Sequence, residues 1–275
     1  MLNGLSACLR GLLIATVVLA AAPAEAQFVP RTLNDPATGE EYHIEGFAGL
    51  WSPSHEMSIQ SESLGIAGSA IDFKQDLGLE DQRFGDVRLV GRPARKHKFR
   101  FQYTPIEYNR QSFSLVRNLT FNGQLYRVGL PVESHFLWKA YRLGYEYDFI
   151  VKNRGFGGLI LDVKYTDVAA RLRSTVIEES IRARAPIPSL GGIVRVYVVP
   201  NISITGEVTG IKIPDSISKE YKAHYADVDI YGTLNFTRNV GVQGGYRTLD
   251  VGYRIDKDTG SFVLRGIYFG VVARY

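Results

Sequence analysis

The chain ends in Phe262-Val-Leu-Arg-Gly-Ile-Tyr-Phe-Gly-Val-Val-Ala-Arg-Tyr275, and this stretch decides the fold. Every second side chain is apolar, and the set comprises Ile267, Phe269, Val271, Ala273 and Tyr275. The residues between them are mostly small or polar. A period of two places the two sets on opposite faces of a β-strand. The sequence therefore predicts a final strand with one face suited to hydrocarbon and one suited to a polar lumen.

The same alternation recurs along most of the chain and predicts about ten strands. Their alternating segments lie at 42–50, 87–89, 99–103, 141–149, 159–165, 194–198, 202–208, 228–236, 240–246 and 262–275. Segments 112–121 and 125–132 can pair around Asn122-Gly123, a strong hairpin turn. We interpret this pair as a hairpin outside the wall, and its entry into the wall would give twelve strands. Eight strands is the other alternative.

The connections between these segments sort by length. Short turns are predicted at 92–96, 152–155, 200–201 and 237–239, and longer polar stretches at 52–83, 109–134, 170–190, 212–224 and 254–261. Short and long connections alternate, and both termini fall on the short side, so the strand number is even. Outer-membrane barrels show this asymmetry. A soluble lipocalin-type barrel is the rival, and it would place its apolar residues inside.

In one predicted strand, the apolar residues change from one face of the strand to the other. Val242 and Tyr246 share one face, whereas Leu249, Val251 and Tyr253 share the other. A β-bulge near Arg247 would produce this shift. The alternative is that the strand has already left the membrane at Asp250.

The first residues have the pattern of a secretory signal peptide. Arg10 precedes an apolar run at 11–22, and Ala24-Glu25-Ala26 matches a cleavage site, so we predict a signal peptide at 1–26. The run is shorter than the roughly 20 residues of a membrane-spanning helix. We predict a periplasmic segment at 27–39 and one barrel domain at 40–275. The single cysteine, Cys8, leaves with the signal peptide, so the mature chain has no disulfide and no thiolate.

Together, the signal peptide, the alternating segments and the aromatic C-terminal strand resemble the small outer-membrane β-barrel proteins of Gram-negative bacteria. This resemblance implies an all-β fold, a closed antiparallel up-and-down transmembrane β-barrel in the bacterial outer membrane. It implies insertion by the barrel-assembly machinery through the closing strand that ends at Tyr275. The segment Ser69-Ala-Ile-Asp-Phe-Lys-Gln-Asp-Leu-Gly-Leu79 also looks like a stretch of uncharacterised barrel proteins. No activity is implied.

The face predicted to point inward is rich in charge. It carries Arg88, Arg100, Arg142, Glu146, Asp148, Asp162, Lys164, Arg195, Glu207, Asp227 and Asp229. Buried charges are costly unless paired, so we expect salt bridges that pack the lumen. A proton relay or a selective pore is the alternative. Open aqueous channels belong to barrels of about sixteen strands or more, so the sequence favours a structural or interaction role in the envelope over a narrow pore for small solutes.

Catalysis is a third hypothesis, in the form of a surface or lipid A hydrolase. The pairing of His135 with Ser134 or Glu133 is the one to test, although neighbouring strand residues point to opposite faces. No nucleophile elbow, metal-ligand spacing or cofactor motif is present. We predict that the protein is not an enzyme and has no cofactor.

The predicted partners are outer-membrane lipid and lipopolysaccharide, with no nucleic acid, and the predicted state is a monomer. Arg265 has the parity of the lipid face but lies about ten residues from the end, which is near 25–30 Å along a tilted strand. Its cation could meet a lipopolysaccharide phosphate. The alternative is an ion pair with a loop carboxylate.

Overall fold

The computed structural model describes residues 37–60, 68–175, 177–212, 221–255 and 258–275. The predicted signal peptide and most of the segment 27–39 lie outside these residues. Within them, no helix is long and apolar enough to cross a membrane. The strands are β1 (Ile44–Gln60), β2 (Ile71–Asp72), β3 (Phe84–Ala94), β4 (His97–Ser114), β5 (Leu119–Phe121), β6 (Gln124–Tyr126), β7 (Pro131–Lys152), β8 (Gly155–Arg173), β9 (Glu178–Val199), β10 (Ile202–Lys212), β11 (Tyr221–Asn235), β12 (Val240–Ile255) and β13 (Asp258–Arg274).

Ten of these strands form one closed antiparallel ring in the order β1, β3, β4 and then β7 to β13. β13 returns to pair with β1, from Glu45 opposite Arg274 to Gln60 opposite Thr259. Closure leaves no strand edge along this seam, so the backbone groups are satisfied by their neighbours, as a bilayer requires. The predicted up-and-down barrel of about ten strands is confirmed.

An apolar belt surrounds the ring. Leu143, Leu161 and Ile267 point outward and are 65%, 59% and 68% exposed. The alternation that puts them outside turns polar partners inward, as the sequence predicts. Tyr141 is paired with both Tyr103 and Tyr165 across three adjacent strands. This aromatic row marks the upper edge of the belt, because tyrosine suits the boundary between hydrocarbon and water.

The two ends of the barrel differ. The short turns and the described N- and C-terminal residues share one end, which we call the turn end, and the longer connections lie at the loop end. At the loop end the strands extend well above the belt, so the predicted loops are too long. The predicted loop 170–190 is almost all strand, because β8 ends at Arg173 and β9 begins at Glu178. The ladder between β8 and β9 continues beyond the belt as far as Arg173 opposite Glu178.

The segment around Asn122-Gly123 forms the short hairpin β5–β6, which pairs only with itself and lies outside the wall. Asn122 has φ 49° and Gly123 has φ 80°. Positive φ at both central residues is the geometry that Asn-Gly favours in a two-residue turn. The interpretation as a hairpin outside the wall is confirmed, and the twelve-stranded alternative is wrong.

The predicted bulge near Arg247 is absent. β12 keeps one continuous register against β11 and β13 from Val240 to Ile255. Arg247, Leu249 and Val251 therefore all face the interior. The apolar parity changes because the interior itself changes from polar to apolar along the strand, and no extra residue is needed.

The belt yields a prediction about depth. Leu161→Arg places a charge near the centre of the belt and should lower the free energy of unfolding by about 2–4 kcal/mol. Asn109→Arg, on an exposed position above the belt, should cost about 0–1 kcal/mol. Reversible denaturant unfolding in lipid vesicles measures both. Equal costs at the two positions would contradict the assignment of the belt.

Candidate functional site

The interior of the barrel is divided into a charged lower lumen, toward the turn end, and an apolar upper lumen. Trp51 and Tyr225 mark the boundary between them. The guanidinium of Arg247 lies 5.1 Å from the Trp51 ring centre, and the ammonium of Lys164 lies 4.4 Å from that of Tyr225. Cations below these rings gain from the negative face of each aromatic.

Salt bridges in the lower lumen join neighbouring strands and also strands that are not neighbours. Arg100 on β4 donates to Glu146 on β7 and to Glu207 on β10, each at 2.5 Å. Arg142 on β7 reaches Glu207 and Asp162, each at 2.6 Å. Since β7, β8 and β9 separate β4 from β10 in the ring, Glu207 ties distant parts of the wall together.

A second set of ion pairs joins β3 to β11, and β11 to β12. Arg88 on β3 binds Asp86 on the same strand and Asp229 on β11, each at 2.7 Å. Arg247 on β12 binds Asp227 on β11 with two hydrogen bonds, of 3.0 and 2.8 Å. The second interaction is a bidentate pair, the strongest geometry for arginine and a carboxylate.

Two buried lysines complete the lower lumen. The Nζ of Lys98 lies 2.7 Å from Glu146 and 2.9 Å from Asp148. The Nζ of Lys164 lies 2.9 Å from Asp162. A cavity of about 30 Å³ beside Arg88 has room for about two water molecules. The ion pairs therefore fill the cross-section rather than line a channel.

The chain just before β1 covers the turn end. The amide of Thr38 donates to the carbonyl of Pro200 at 2.6 Å, and its carbonyl accepts from Asn235 at 2.7 Å. The carboxylate of Glu40 accepts from Arg195 at 2.9 Å. This segment forms a floor that is bound to the turns and to the charged lumen above it.

The structure places the charged residues predicted for the inner face in this lower lumen. They are Arg88, Arg100, Arg142, Glu146, Asp148, Asp162, Lys164, Arg195, Glu207, Asp227 and Asp229. Sequence reasoning missed other members, namely Glu40, Glu45, Asp86, Lys98, Arg247 and Arg274. Asp86, Lys98 and Arg274 have inward parity, a signal that could have found them. Arg247 was missed because of the predicted bulge.

The loop end is covered by two segments, 68–83 and 115–130, which we call the cap. The amide of Ser69 donates to the carbonyl of Thr120 at 2.9 Å. Arg117 binds Asp76 with hydrogen bonds of 2.7 and 2.6 Å. The Phe73 ring reaches inward and contacts that of Phe136, with centroids 5.2 Å apart. The cap therefore closes part of the upper lumen with apolar side chains.

The prediction of a packed lumen is correct only for the lower half. The upper lumen contains a cavity of about 660 Å³, which we call the chamber. Its walls are mainly apolar and include Phe136, Trp138, Ile187 and Phe262. This volume is within the range of small-molecule sites.

No catalytic arrangement forms at the predicted histidine. Ser134 points inward and is 5% exposed, whereas His135 points outward and binds Glu107 on β4 at 3.1 Å. Glu133 lies 4.0 Å from Arg173. His135 therefore pairs with neither of the residues considered in the sequence analysis, since Ser134 faces the opposite side of the strand and Glu133, on the same face, lies beside Arg173.

Two other histidine–carboxylate pairs occur within the described residues. His224 lies 3.0 Å from Asp250 on the outer surface. His55 is buried beneath the cap, with Nδ1 2.9 Å from Asp81. Within the described residues, no group of three or more histidines, cysteines or carboxylates could hold a metal ion.

Arg265 points outward above the belt, between Ser54 on β1 and Thr248 on β12. Among the residues that the structure describes, no carboxylate lies within ion-pair distance of it. The alternative of a loop carboxylate partner is therefore not formed in this part of the chain.

Solved structures share this architecture. The outer-membrane protease OmpT from Escherichia coli aligns with 10% sequence identity and a TM-score of 0.57, over 89% of this chain and 100% of that chain. The chain has the fold of a small outer-membrane β-barrel. The Pseudomonas putida toluene transporter TodX (8% identity, 94% and 93% coverage, TM-score 0.35) and Ail from Yersinia pestis (9%, 82% and 97%, 0.33) are more distant. No protein-family model and no curated protein sequence matches the chain.

The bidentate pair in the lower lumen predicts a large stability effect. Arg247→Met removes the guanidinium from Asp227, so it should lower the free energy of unfolding by about 3–5 kcal/mol. Arg247→Met combined with Asp227→Leu removes both charges and should recover most of that loss. Denaturant unfolding in vesicles measures both variants. A double variant no more stable than the single one would contradict a buried pair.

The Arg117–Asp76 ion pair, which we call the cap clamp, predicts that the stability of the cap depends on pH. Burial raises the pKa of Asp76, but hydrogen bonds from Arg117 and from the Asp72 amide outweigh it, so the pKa is lowered. A lowered pKa stabilises the folded cap above the ordinary carboxyl pKa near 4, and this contribution is lost as the pH falls below that value. Hydrogen exchange of the Leu79 amide, corrected for its intrinsic rate, should show weaker protection between about pH 4 and pH 2.

Asp76→Asn should weaken the protection of the Leu79 amide already at neutral pH. It should also remove most of the dependence of that protection on pH. Glu80→Gln is the control, since Glu80 pairs with Arg110 in an exposed bridge. Unchanged protection in Asp76→Asn would show that the clamp does not hold the cap.

Proposed function

We propose that this protein is a non-enzymatic barrel of the bacterial outer membrane that is sealed to solutes and acts through its outer surface. The observation that carries this proposal is the set of ion pairs across the lower lumen, in which Arg100 joins Glu146 to Glu207. A barrel of about ten strands is filled by side chains of this size. The floor at Glu40 adds a second barrier at the turn end. These features argue against the narrow pore.

The hydrolase alternative has less support. OmpT is a protease, but its similarity to this chain is one of fold. The histidine–carboxylate pairs at His135 and His224 lie on the outer wall, and each consists of one histidine and one carboxylate. The pair at His55 is buried under the cap, with the imidazole packed 4.7 Å from the Tyr108 ring.

The outer surface above the belt supports contact with lipopolysaccharide. Lys139, Arg182, Arg184 and Arg265 point outward there. Arg182 and Arg184 share one carboxylate, Asp167, at 2.5 and 3.3 Å, so this group keeps a net positive charge. Cations at this height would meet the phosphates of the outer leaflet. We place the cap on the cell surface, with the protein a monomer inserted by the barrel-assembly machinery through the strand that ends at Tyr275.

A sealed lumen predicts that the protein does not conduct ions across a membrane. In planar-bilayer recordings the wild type should insert without conductance steps. A variant with Arg100→Ser, Arg142→Ser and Glu207→Ser removes the bridges and should conduct, which shows that insertion is detectable. Discrete steps from the wild type would overturn the sealed barrel and favour the narrow pore.

A further inference from the structure

The chamber lies on one side of the upper lumen, between the inner faces of β7 to β13. Trp138, Val168, Ala183 and Ile187 line it, together with Phe262. An apolar cavity of about 660 Å³ is large enough to hold a ligand rather than a few water molecules. The lower lumen beneath it is charged and filled with side chains, so the chamber is closed at its lower end.

Among the buried polar side-chain atoms in the described part of the chamber wall, one has no hydrogen-bond partner. The indole N–H of Trp138 has no hydrogen-bond acceptor among the described residues, although the side chain is only 2% exposed. A buried donor without a partner costs about 1–3 kcal/mol. This nitrogen has almost no accessible surface, so Trp138 borders the chamber through the carbon atoms of its ring.

Among the described residues, the barrel wall beside the chamber has a gap, which we call the side opening. β10 pairs with β9 only as far as Leu190 opposite Gly210, whereas β9 continues to Glu178 with β8 alone. Within the described residues, no strand pairs with the other edge of this part of β9. Pro186 and Pro188 lie there and lack the N–H that a neighbouring strand would need. Their side chains point outward, yet both border the chamber.

This side opening is level with the hydrocarbon boundary. Pro186 is directly opposite Tyr165, a member of the aromatic row that marks the upper edge of the belt. Leu190, just below the opening, points outward and is 62% exposed. Arg182 also borders the chamber, and Asp258 is the carboxylate among the lining residues. An apolar chain could therefore pass between the outer leaflet and the chamber without crossing water.

From these observations we infer that the chamber binds an acyl chain, admitted from the outer leaflet through the opening beside Pro186 and Pro188. The hydrocarbon lies against the apolar wall, and the oxygens of the head group lie near Arg182 at the opening. The acyl chain belongs either to a free fatty acid or to a membrane lipid. This inference does not depend on whether the lower lumen conducts.

The two tryptophans of the chain allow a direct test. Trp138 lines the chamber, whereas Trp51 also points inward but lies below it and donates to the Gly266 carbonyl at 3.2 Å. Trp51→Phe leaves Trp138 as the reporter, and Trp138→Phe leaves Trp51 as its matched control. Both full-length proteins are placed in vesicles of unbrominated lipid, and a dibrominated stearic acid, which quenches indole fluorescence on contact, is added.

Saturable quenching at least about fivefold stronger for Trp138 than for Trp51 is expected, and it identifies a free fatty acid as a ligand. The same preference seen only in vesicles of brominated phosphatidylcholine supports the chamber with a membrane lipid as the source. Lipid outside the wall would quench both reporters alike. Equal quenching of the two, or none, with both probes overturns the inference.

A filled chamber provides the second control. Ala183→Phe in the Trp51→Phe background places a ring on the chamber wall and should abolish the quenching of Trp138. Ala185→Phe does the same if the first variant fails to fold, as judged by its β-sheet circular dichroism. Quenching that persists in a folded filled variant would show that the probe reaches Trp138 by another route, and this outcome also overturns the inference.

Discussion

Closure of the ring is the constraint on which the rest of this structure depends. A strand in hydrocarbon needs hydrogen-bonding neighbours on both edges, so β13 must return to β1. Once the ring is closed, alternate side chains are forced into a narrow interior where an isolated charge would cost several kcal/mol. The ion pairs of the lower lumen are the consequence. Glu207 can satisfy Arg100 only because the ring brings β10 and β4 to the same space.

The direction of polarity reverses along the barrel axis, and this reversal creates the chamber. Within the belt, apolar side chains face the hydrocarbon and charges face inward. Above the row that contains Tyr165, the outside meets water and carries Lys139 and Arg182, while the inside becomes apolar. The same period of two serves both halves, since only the surroundings of each face have changed. The chamber lies just above the crossover, where the interior is apolar and β10 has ended.

The two halves of the interior therefore suit different roles. The lower half is tied together by charge pairs and by the floor at Glu40, and it provides a rigid seal. The upper half is covered by a cap that is held through Arg117 and Asp76, and it retains open volume beside β9. Stability and binding are separated along the axis, so changes in the cap or the chamber need not weaken the part of the barrel that holds it in the bilayer.

The sequence by itself determined the barrel, a strand number of about ten, the Asn122-Gly123 hairpin and the inward parity of residues such as Arg88 and Glu207. Each of these follows from the alternation of side chains along a strand or from the residues of a turn. Both can be recognised in the sequence of one segment without knowledge of its neighbours in the fold. Only the tertiary structure decided which charges meet, that Arg247 lies in register without a bulge, and that Val251 lines an apolar chamber. The period of two shows which residues share a face of a strand. Whether that face contacts lipid, water or other side chains depends on the height of the strand in the barrel and on residues far away in the chain.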